Sequence, residues 1–284
     1  MAFRFLIASD IHDDLAAVEQ LKREIHELGF APNVVLCPGD LTCLPTKIGV
    51  ELPEDVVAAG AQNGRAILQS LKELVPDGQV VFVPGNHDPI TWFDQSDPSL
   101  REMAELGLVN AHDARVRVST GLSIIGFGGC TEALEDGRVV WSAYPYTESE
   151  MTERLAATKK RLCETDPGET TVLMTHFGSA ASATTWVTGM DPNSLVAPGL
   201  RKTIINSGSS TLDPLLAEAA VQASVVLNLH GHTHQGCGMT RRGAITVLNP
   251  GSLCFTRTYA LVTMKRANET GRWSLASTEI RSLA

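Results

Sequence analysis

The 284-residue chain lacks a long apolar run, a paired-cysteine pattern and an excess of basic charge. No uninterrupted apolar stretch approaches the roughly 18 residues of a membrane span, so no such span is expected. The six cysteines, Cys37, Cys43, Cys130, Cys163, Cys237 and Cys254, form no C-x-x-C pair and no framework spacing. A chain this long buries roughly 75% of its unfolded surface and does not need disulfides to fold, so these read as scattered reduced thiols. The apolar stretch from Met1 to Ala8 is too brief for a secretory signal and runs straight into Asp10. A cytoplasmic protein is the expectation. Lys plus Arg number 23 against 32 for Asp plus Glu, a formal charge of −9, and basic residues cluster only in short runs such as Lys159-Lys160-Arg161 and Arg241-Arg242. A protein that neutralises nucleic-acid phosphates shows the opposite balance or a basic stripe, so nucleic acid is not an expected partner. Histidine is scarce too, with only eight residues, and their placement is the most informative feature of the composition.

What is present alternates strand and helix. Phe3 to Ala8 reads as a strand, and Leu15, Val18, Leu21, Ile25 and Leu28 give the period of a helix opened by Asp14 and closed by Gly29. Val34 to Cys37 then meets Pro38-Gly39, a helix runs from about Pro53 to Leu74, and Val80 to Val83 meets Pro84-Gly85. This is the β-α-β opening of an α/β fold. Val116 to Val118 and Leu122 to Phe127 read as a hairpin, Ser149 to Cys163 as a helix, and Thr171 to Met174 as a strand. About 177–210 has no convincing period and is expected as a long loop near the site. Asp213-Pro214 are read as the cap and first turn of a helix to about Gln222. Strands at Val225 to Leu229, Ala244 to Leu248, Tyr259 to Thr263 and Trp273 to Thr278 complete the chain. With no linker or repeat, residues 1–284 are expected to form one domain of two packed sheets with outer helices.

Five short blocks follow expected strands: Asp10-Ile11-His12, Gly39-Asp40, Gly85-Asn86-His87-Asp88, Thr175-His176 and Gly231-His232-Thr233-His234. They hold five of the eight histidines, leaving His26, His112 and His230 outside. A strand end fixes the backbone and leaves the side chain free to converge on a centre, at the edge where α/β sheets bind ligands. The donor set is imidazole, carboxylate and one carboxamide without sulfur. It suits two divalent cations of the Mn, Fe or Zn type with room for water. Two carboxylates cannot neutralise two dications, and a phosphate would meet the residual positive charge.

The ordered blocks D-x-H, G-D, G-N-H-D, H and G-H-x-H, spanning Asp10 to His234, resemble the calcineurin-like metallophosphoesterase superfamily. The resemblance implies a four-layer αββα sandwich of two mixed β-sheets flanked by helices, with the metal site at the C-terminal ends of the strands. It implies that Asp10, His12, Asp40 and His234 hold one metal ion and Asp40, Asn86, His176 and His232 the other, with Asp40 bridging. Mn2+ is the expected metal, with Fe, Zn or Mg as alternatives. Asn86 and His87 would contact the substrate phosphate, and His87 would protonate the leaving oxygen, oriented by Asp88 or a backbone carbonyl. The implied reaction is hydrolysis of a small phosphomono- or phosphodiester by in-line attack of a metal-bridging hydroxide. The protein Ser/Thr phosphatase branch carries an Asp and an Arg after its G-D block. Here Leu41, Thr42, Cys43, Leu44 and Pro45 follow, with Cys43 in place of the Asp that supports the catalytic His. The Tyr that purple acid phosphatases place there is also missing. G-D-L-T with G-N-H-D is more similar to the small phosphodiesterases, which favours a diester. The segments Ile124 to Gly129, Tyr146 to Glu150 and Asn249-Pro250-Gly251-Ser252 resemble a further branch of small phosphoesterases.

The alternative function is a catalytically weak scaffold of the same fold, against which stands His87 together with all seven candidate ligands. A nuclease would need a basic groove or an added capping domain, and the 50 residues after His234 suffice only for terminal strands. His112 and His230 are read as structural. Gly126 to Gly129 is a plain turn or a phosphate contact, and Ser209 a helix cap or an anion contact. Trp92 and Trp186 pack or flank a substrate, and Arg201 and Lys202 are solvated or touch phosphate. Oligomeric state is left open.

Overall fold

A computed structural model describes residues 2–47, 49–135, 138–141, 143–166, 168–188, 204–266 and 271–284. Arg201 and Lys202 lie outside them. The chain opens with β1 (Ala2–Ile7), α1 (Leu15–Glu27), β2 (Val34–Cys37), α2 (Glu54–Lys72), β3 (Gln79–Phe82), α3 (Pro98–Glu105) and β4 (Leu108–Asn110). Asp14 caps α1, its side chain accepting the Ala17 N–H at 2.9 Å, and Gly29 leaves the helix at φ 59°. β1 to β4 pair in parallel, with Leu6 beside Val35, Leu36 beside Val81 and Val81 beside Val109.

The second half contributes β5 (Arg115–Ser119), β6 (Leu122–Phe127), β7 (Ala133–Glu135), β8 (Arg138–Trp141), α4 (Glu148–Cys163) and β9 (Thr170–Thr175). There follow β10 (Trp186–Thr188), β11 (Ile204–Asn206), α5 (Leu212–Ala217), α6 (Ala219–Ser224) and β12 (Val225–Leu229). β13 (Gly238–Arg242), β14 (Ile245–Asn249), β15 (Thr258–Arg266) and β16 (Trp273–Ser282) end the chain. One six-stranded sheet runs β16-β15-β1-β2-β3-β4, parallel from β1 to β4 with β15 and β16 antiparallel at one edge, and the other runs β13-β14-β12-β9-β6-β5, parallel at its centre with both edge strands antiparallel.

The sandwich follows from strands that are apolar on both faces. Phe5, Ile7, Leu36, Val81 and Val83 of the first sheet meet Ile124, Val172, Met174, Leu227 and Leu229 of the second in one buried cluster. The alternate residues Leu6, Ala8, Val35, Cys37, Val80 and Phe82 pack outward against Val18, Leu21 and Ile25 of α1 and Ile67, Leu68 and Leu71 of α2. Ile125, Phe127 and Leu173 pack outward against Met151, Leu155 and Leu162 of α4 and Leu212, Leu215 and Leu216 of α5. Four layers, helix-sheet-sheet-helix, result.

Several elements differ from the sequence reading. Asp97 and Pro98 start a helix on which the sequence reading was silent, α3, whose eight residues are too short to show a clear period. The stretch expected as loop from Phe177 includes a 3-10 turn, Ala183–Thr185, and the strands β10 and β11, which join β7 and β8 in a third, four-stranded sheet ordered β10-β11-β7-β8. The expected helix after Asp213 is two, because Glu218 is extended at φ −63° and ψ 130°. Its cap is Thr211, while Asp213 sits in the first turn and accepts hydrogen bonds from the Ser179 hydroxyl and the Ala181 N–H.

Candidate metal centre

Each sequence block lies just past the C-terminal end of a parallel strand: Asp10 and His12 after β1, Asp40 after β2, Asn86 and His87 after β3, His176 after β9, and His232 and His234 after β12. The connections after β1 and β2 are laced together, since the amides of Ile11 and His12 donate to the Asp40 carbonyl at 2.8 and 3.0 Å. Asp10, His12, Asp40 and His232 all have positive φ, between 48° and 64°. For residues with a Cβ this left-handed conformation costs about 1 kcal/mol or more each, and it survives where the surroundings force it. The strain bends each backbone so that its side chain turns into one centre.

The converging atoms form two overlapping groups. Ligand atoms of Asp10, His12, Asp40 and His234 all lie within 4.8 Å of one another, and so do those of Asp40, His176 and His232. Asp40 belongs to both. Its Oδ2 is 3.3 Å from His176 Nε2 and 3.7 Å from His12 Nε2, while His234 Nε2 is 3.2 Å from Asp10 Oδ1. Asn86 joins the second group, its Oδ1 3.0 Å from His176 Nε2. All seven sequence-derived candidates are therefore brought together.

Hydrogen bonds from behind aim them. The His176 Nδ1–H donates to the Pro38 carbonyl at 2.7 Å, which presents Nε2 to the centre. Asp10 accepts the His232 N–H at 3.0 Å and the Ser9 hydroxyl at 2.5 Å. Asp40 Oδ1 accepts the His87 N–H at 2.8 Å. Gly85 has no positive φ and is required for space, because a Cβ there would press on the Asp40 carboxylate and amide. Gly39 needs both, with φ 103° and the His176 ring where its Cβ would stand.

Burial disfavours the charged form of every one of these groups. For Asp10 it is outweighed by the hydrogen bond and charge of His234, and for Asp40 by the charges of His176 and His87, so both carboxyls lie below the usual range. Burial is likewise outweighed at His176 by the Asp40 carboxylate, which raises it to about 9, and at His234 by the hydrogen bond to Asp10. It prevails at His12, which is lowered, and at His232, pushed down to about 3 with the help of the His176 charge.

These residues fit cations. His12 Nε2 and His234 Nε2 face each other at 3.1 Å, joined by a hydrogen bond as they stand and close enough for one cation to bind both in its place. His12 Nδ1 is shielded from solvent and has no hydrogen-bond partner. Two anionic carboxylates, four imidazoles and a carboxamide oxygen, with no thiolate, are the donors a pair of borderline or hard divalent ions takes.

His87 stands beside the groups rather than among them. Its ring centroid is 5.3 Å from that of His12, and its Nδ1–H donates to the Leu44 carbonyl at 2.8 Å. Of the two expected supports the backbone carbonyl is the one used. The Leu44 N–H donates back to the His87 carbonyl at 3.1 Å, and Thr42 Oγ1 donates to the same carbonyl at 2.5 Å. Asp88 is spent elsewhere, accepting the N–H groups of Gly85 at 2.7 Å and Thr42 at 2.9 Å. Burial and the Asp40 charge push its pKa up to about 6. Cys43 is exposed, and its N–H donates to Asp13.

The remaining readings resolve toward structure. His112 accepts the Gly128 N–H on Nδ1 at 2.9 Å and donates from Nε2 to the Tyr146 hydroxyl at 2.8 Å, and with Gly129 N–H bonded to the Pro84 carbonyl that glycine turn has no amides to spare for phosphate. His230 donates from Nδ1 to the Gly231 carbonyl and accepts the Thr184 hydroxyl at 2.7 Å. Ser209 is buried and accepts the Thr211 N–H. Trp92 is buried edge-on against Phe82, whereas Trp186 is exposed at the start of β10. Phe255, which the sequence reading passed over, lies against two of the candidate ligands. Its only signal in sequence is an isolated aromatic in a polar turn.

Fold and site define a class: an α/β sandwich of two main sheets with a cluster of candidate metal ligands at its strand ends. The family model described as calcineurin-like phosphoesterase matches residues 3–236, and the chain belongs to that family. Among solved structures, the protein TT1561 of Thermus thermophilus is similar at a TM-score of 0.57 and 19% identity, with 100% of each chain covered. A dimetal phosphatase from Danio rerio is similar at a TM-score of 0.50 and 11% identity, with 99% of each chain covered. At such identities the likeness shows the fold. A search of curated proteins finds no match. No helix among the described residues is long and apolar enough to cross a membrane.

Proposed function

We propose that this chain hydrolyses a small phosphoester at two divalent cations, with a diester favoured over a monoester, Mn2+ as the expected metal and the cytoplasm as the compartment. The observation that carries the reading is the Asp40 carboxylate lying between two converging ligand groups. Asp10, His12, Asp40 and His234 would hold one ion, and Asp40, Asn86, His176 and His232 the other. When bound, such a pair polarises phosphoryl oxygens and supplies an activated water for in-line displacement.

The chain's own residues do the rest. The buried side of the cluster, with Asp10, Asp40 and His176 almost fully shielded, keeps bulk water from the charged groups. His234, with 28% of its side chain exposed, and the half-buried Asn86 and His87 mark the side from which a substrate arrives. The Asn86 amide nitrogen is placed to donate to a phosphoryl oxygen while its oxygen faces the cluster. With Nδ1–H anchored on Leu44, His87 Nε2 is free to deliver a proton to the leaving oxygen. A scaffold would have no use for a histidine fixed in this way beside the ligands.

The test is to strip the protein with a chelator, add back Mn2+, and follow bis-p-nitrophenyl phosphate and p-nitrophenyl phosphate. Restored hydrolysis, faster on the diester, is expected. Failure to cleave any phosphoester with both ions bound would overturn the reading.

A further inference from the structure

Phe255 is the most exposed of the large apolar side chains among the described residues, at 60%, and it stands against the cluster rather than at a remote surface. Its ring stacks on that of His234, centroids 4.8 Å apart and planes 23° apart, and lies 5.2 Å from that of His12. A phenyl ring left this exposed forgoes much of the stabilisation that burial would give it. The ring is held in place nonetheless. Ser252 Oγ donates to the Asp10 carbonyl at 2.7 Å and accepts the Phe255 N–H at 3.0 Å. The Leu253 and Cys254 amides bond to the carbonyls of Ser9 and Asp10, and the Thr256 hydroxyl closes the turn onto the Ser252 carbonyl at 2.8 Å. The turn that carries Phe255 is thus tied to the same backbone that carries Asp10. The ring covers His234, itself 28% exposed, and still leaves most of its own surface open beside it.

We infer that Phe255 is a specificity-determining platform, which stacks on a planar aromatic group esterified to the phosphate, such as an aryl ring or a nucleobase, and so favours such esters over aliphatic ones. A rigidly mounted aromatic edge beside an anion-binding centre recognises both parts of such a molecule, the phosphate by charge and the ring by its π-face. A stacked base contributes roughly 1–3 kcal/mol, which corresponds to about tenfold in affinity or more. The inference rests on the phosphoesterase reading for the anion but is read separately from it.

The experiment uses the full chain loaded with Mn2+ and measures dissociation constants of phenyl phosphate and cyclohexyl phosphate by calorimetry. The two share phosphate and ring size and differ in planarity. Wild type is expected to prefer phenyl phosphate about tenfold. Phe255→Leu, which keeps apolar contact with His234, is expected to lose that preference, and Phe255→Trp to keep it, with metal content checked in each. A preference ratio that is the same in Phe255→Leu as in wild type, or no preference in wild type, overturns the proposal and leaves Phe255 as packing for His234. If the preference is found and moves as expected but no ester is turned over with metals bound, the platform stands and the hydrolase reading fails.

Discussion

Replacing His87 with alanine should separate the proposed proton donation from the proposed metal binding, because the groups concerned lie in different parts of that residue. The Asp40 carboxylate is fixed by the His87 backbone N–H at 2.8 Å, which alanine retains, whereas the imidazole is fixed by the Leu44 carbonyl and meets the cluster edge-on at the His12 ring. Metal content should therefore survive the substitution. The lost imidazole is expected to lower kcat according to how much the leaving group needs a proton. A positioned general acid contributes roughly 10²–10⁴-fold, so a dialkyl phosphodiester should slow by about a thousandfold, or about 4 kcal/mol of barrier. p-Nitrophenolate leaves without a proton, so bis-p-nitrophenyl phosphate should slow by only about tenfold. The assay is kcat on both substrates for both proteins at saturating Mn2+, with bound metal measured by atomic spectroscopy. An equal fall on the two substrates, or loss of metal from His87→Ala, would refute the assigned division of labour.

Two further perturbations probe the scaffold. His112 is buried and neutral, its pKa pushed down to about 4 by burial, against 6.5 when exposed. The unfolded chain therefore binds the extra proton first. The resulting stability is full above about pH 6.5 and falls as pH drops toward 4, by about 3 kcal/mol. Urea unfolding with chelator from pH 4 to 7 should give a shallower slope for His112→Gln than for wild type, and identical slopes would contradict this. Gly85→Ala should force the Asp40 carboxylate out of line, destabilise the protein by about 1–3 kcal/mol and lower its metal content; an unchanged urea midpoint with full metal would show the space is not needed.

Much of this architecture is legible in the sequence because its strands are short apolar runs ended by Pro-Gly or Asp, as at Cys37-Pro38-Gly39-Asp40 and Val83-Pro84-Gly85-Asn86. Period and punctuation there agree. The candidate ligands are legible for a related reason: Asp10, Asp40 and His232 need strained backbone beside small residues, and that demand leaves D-x-H, G-D and G-H-x-H in the chain. What supports His87 is not legible, because the group is a backbone carbonyl, at Leu44, and any residue there supplies one. The third sheet escaped for another reason. β7, β10 and β11 are three residues long, too short for a period to emerge, and their partners are distant in sequence. The break at Glu218 between α5 and α6 leaves no Gly or Pro to mark it. Phe255 was invisible as a site residue because its position is set by a turn hydrogen-bonded to Asp10, 245 residues away in the chain.

The central claim is that Asp40 is shared by two cation sites, and counting bound ions tests it most directly. Native mass spectrometry or calorimetry with Mn2+ should find two ions per chain in the wild type and one in His12→Ala. Asp40→Ala should hold none at the same free metal concentration. A full equivalent retained by Asp40→Ala, or a single ion in the wild type at saturation, would contradict the account.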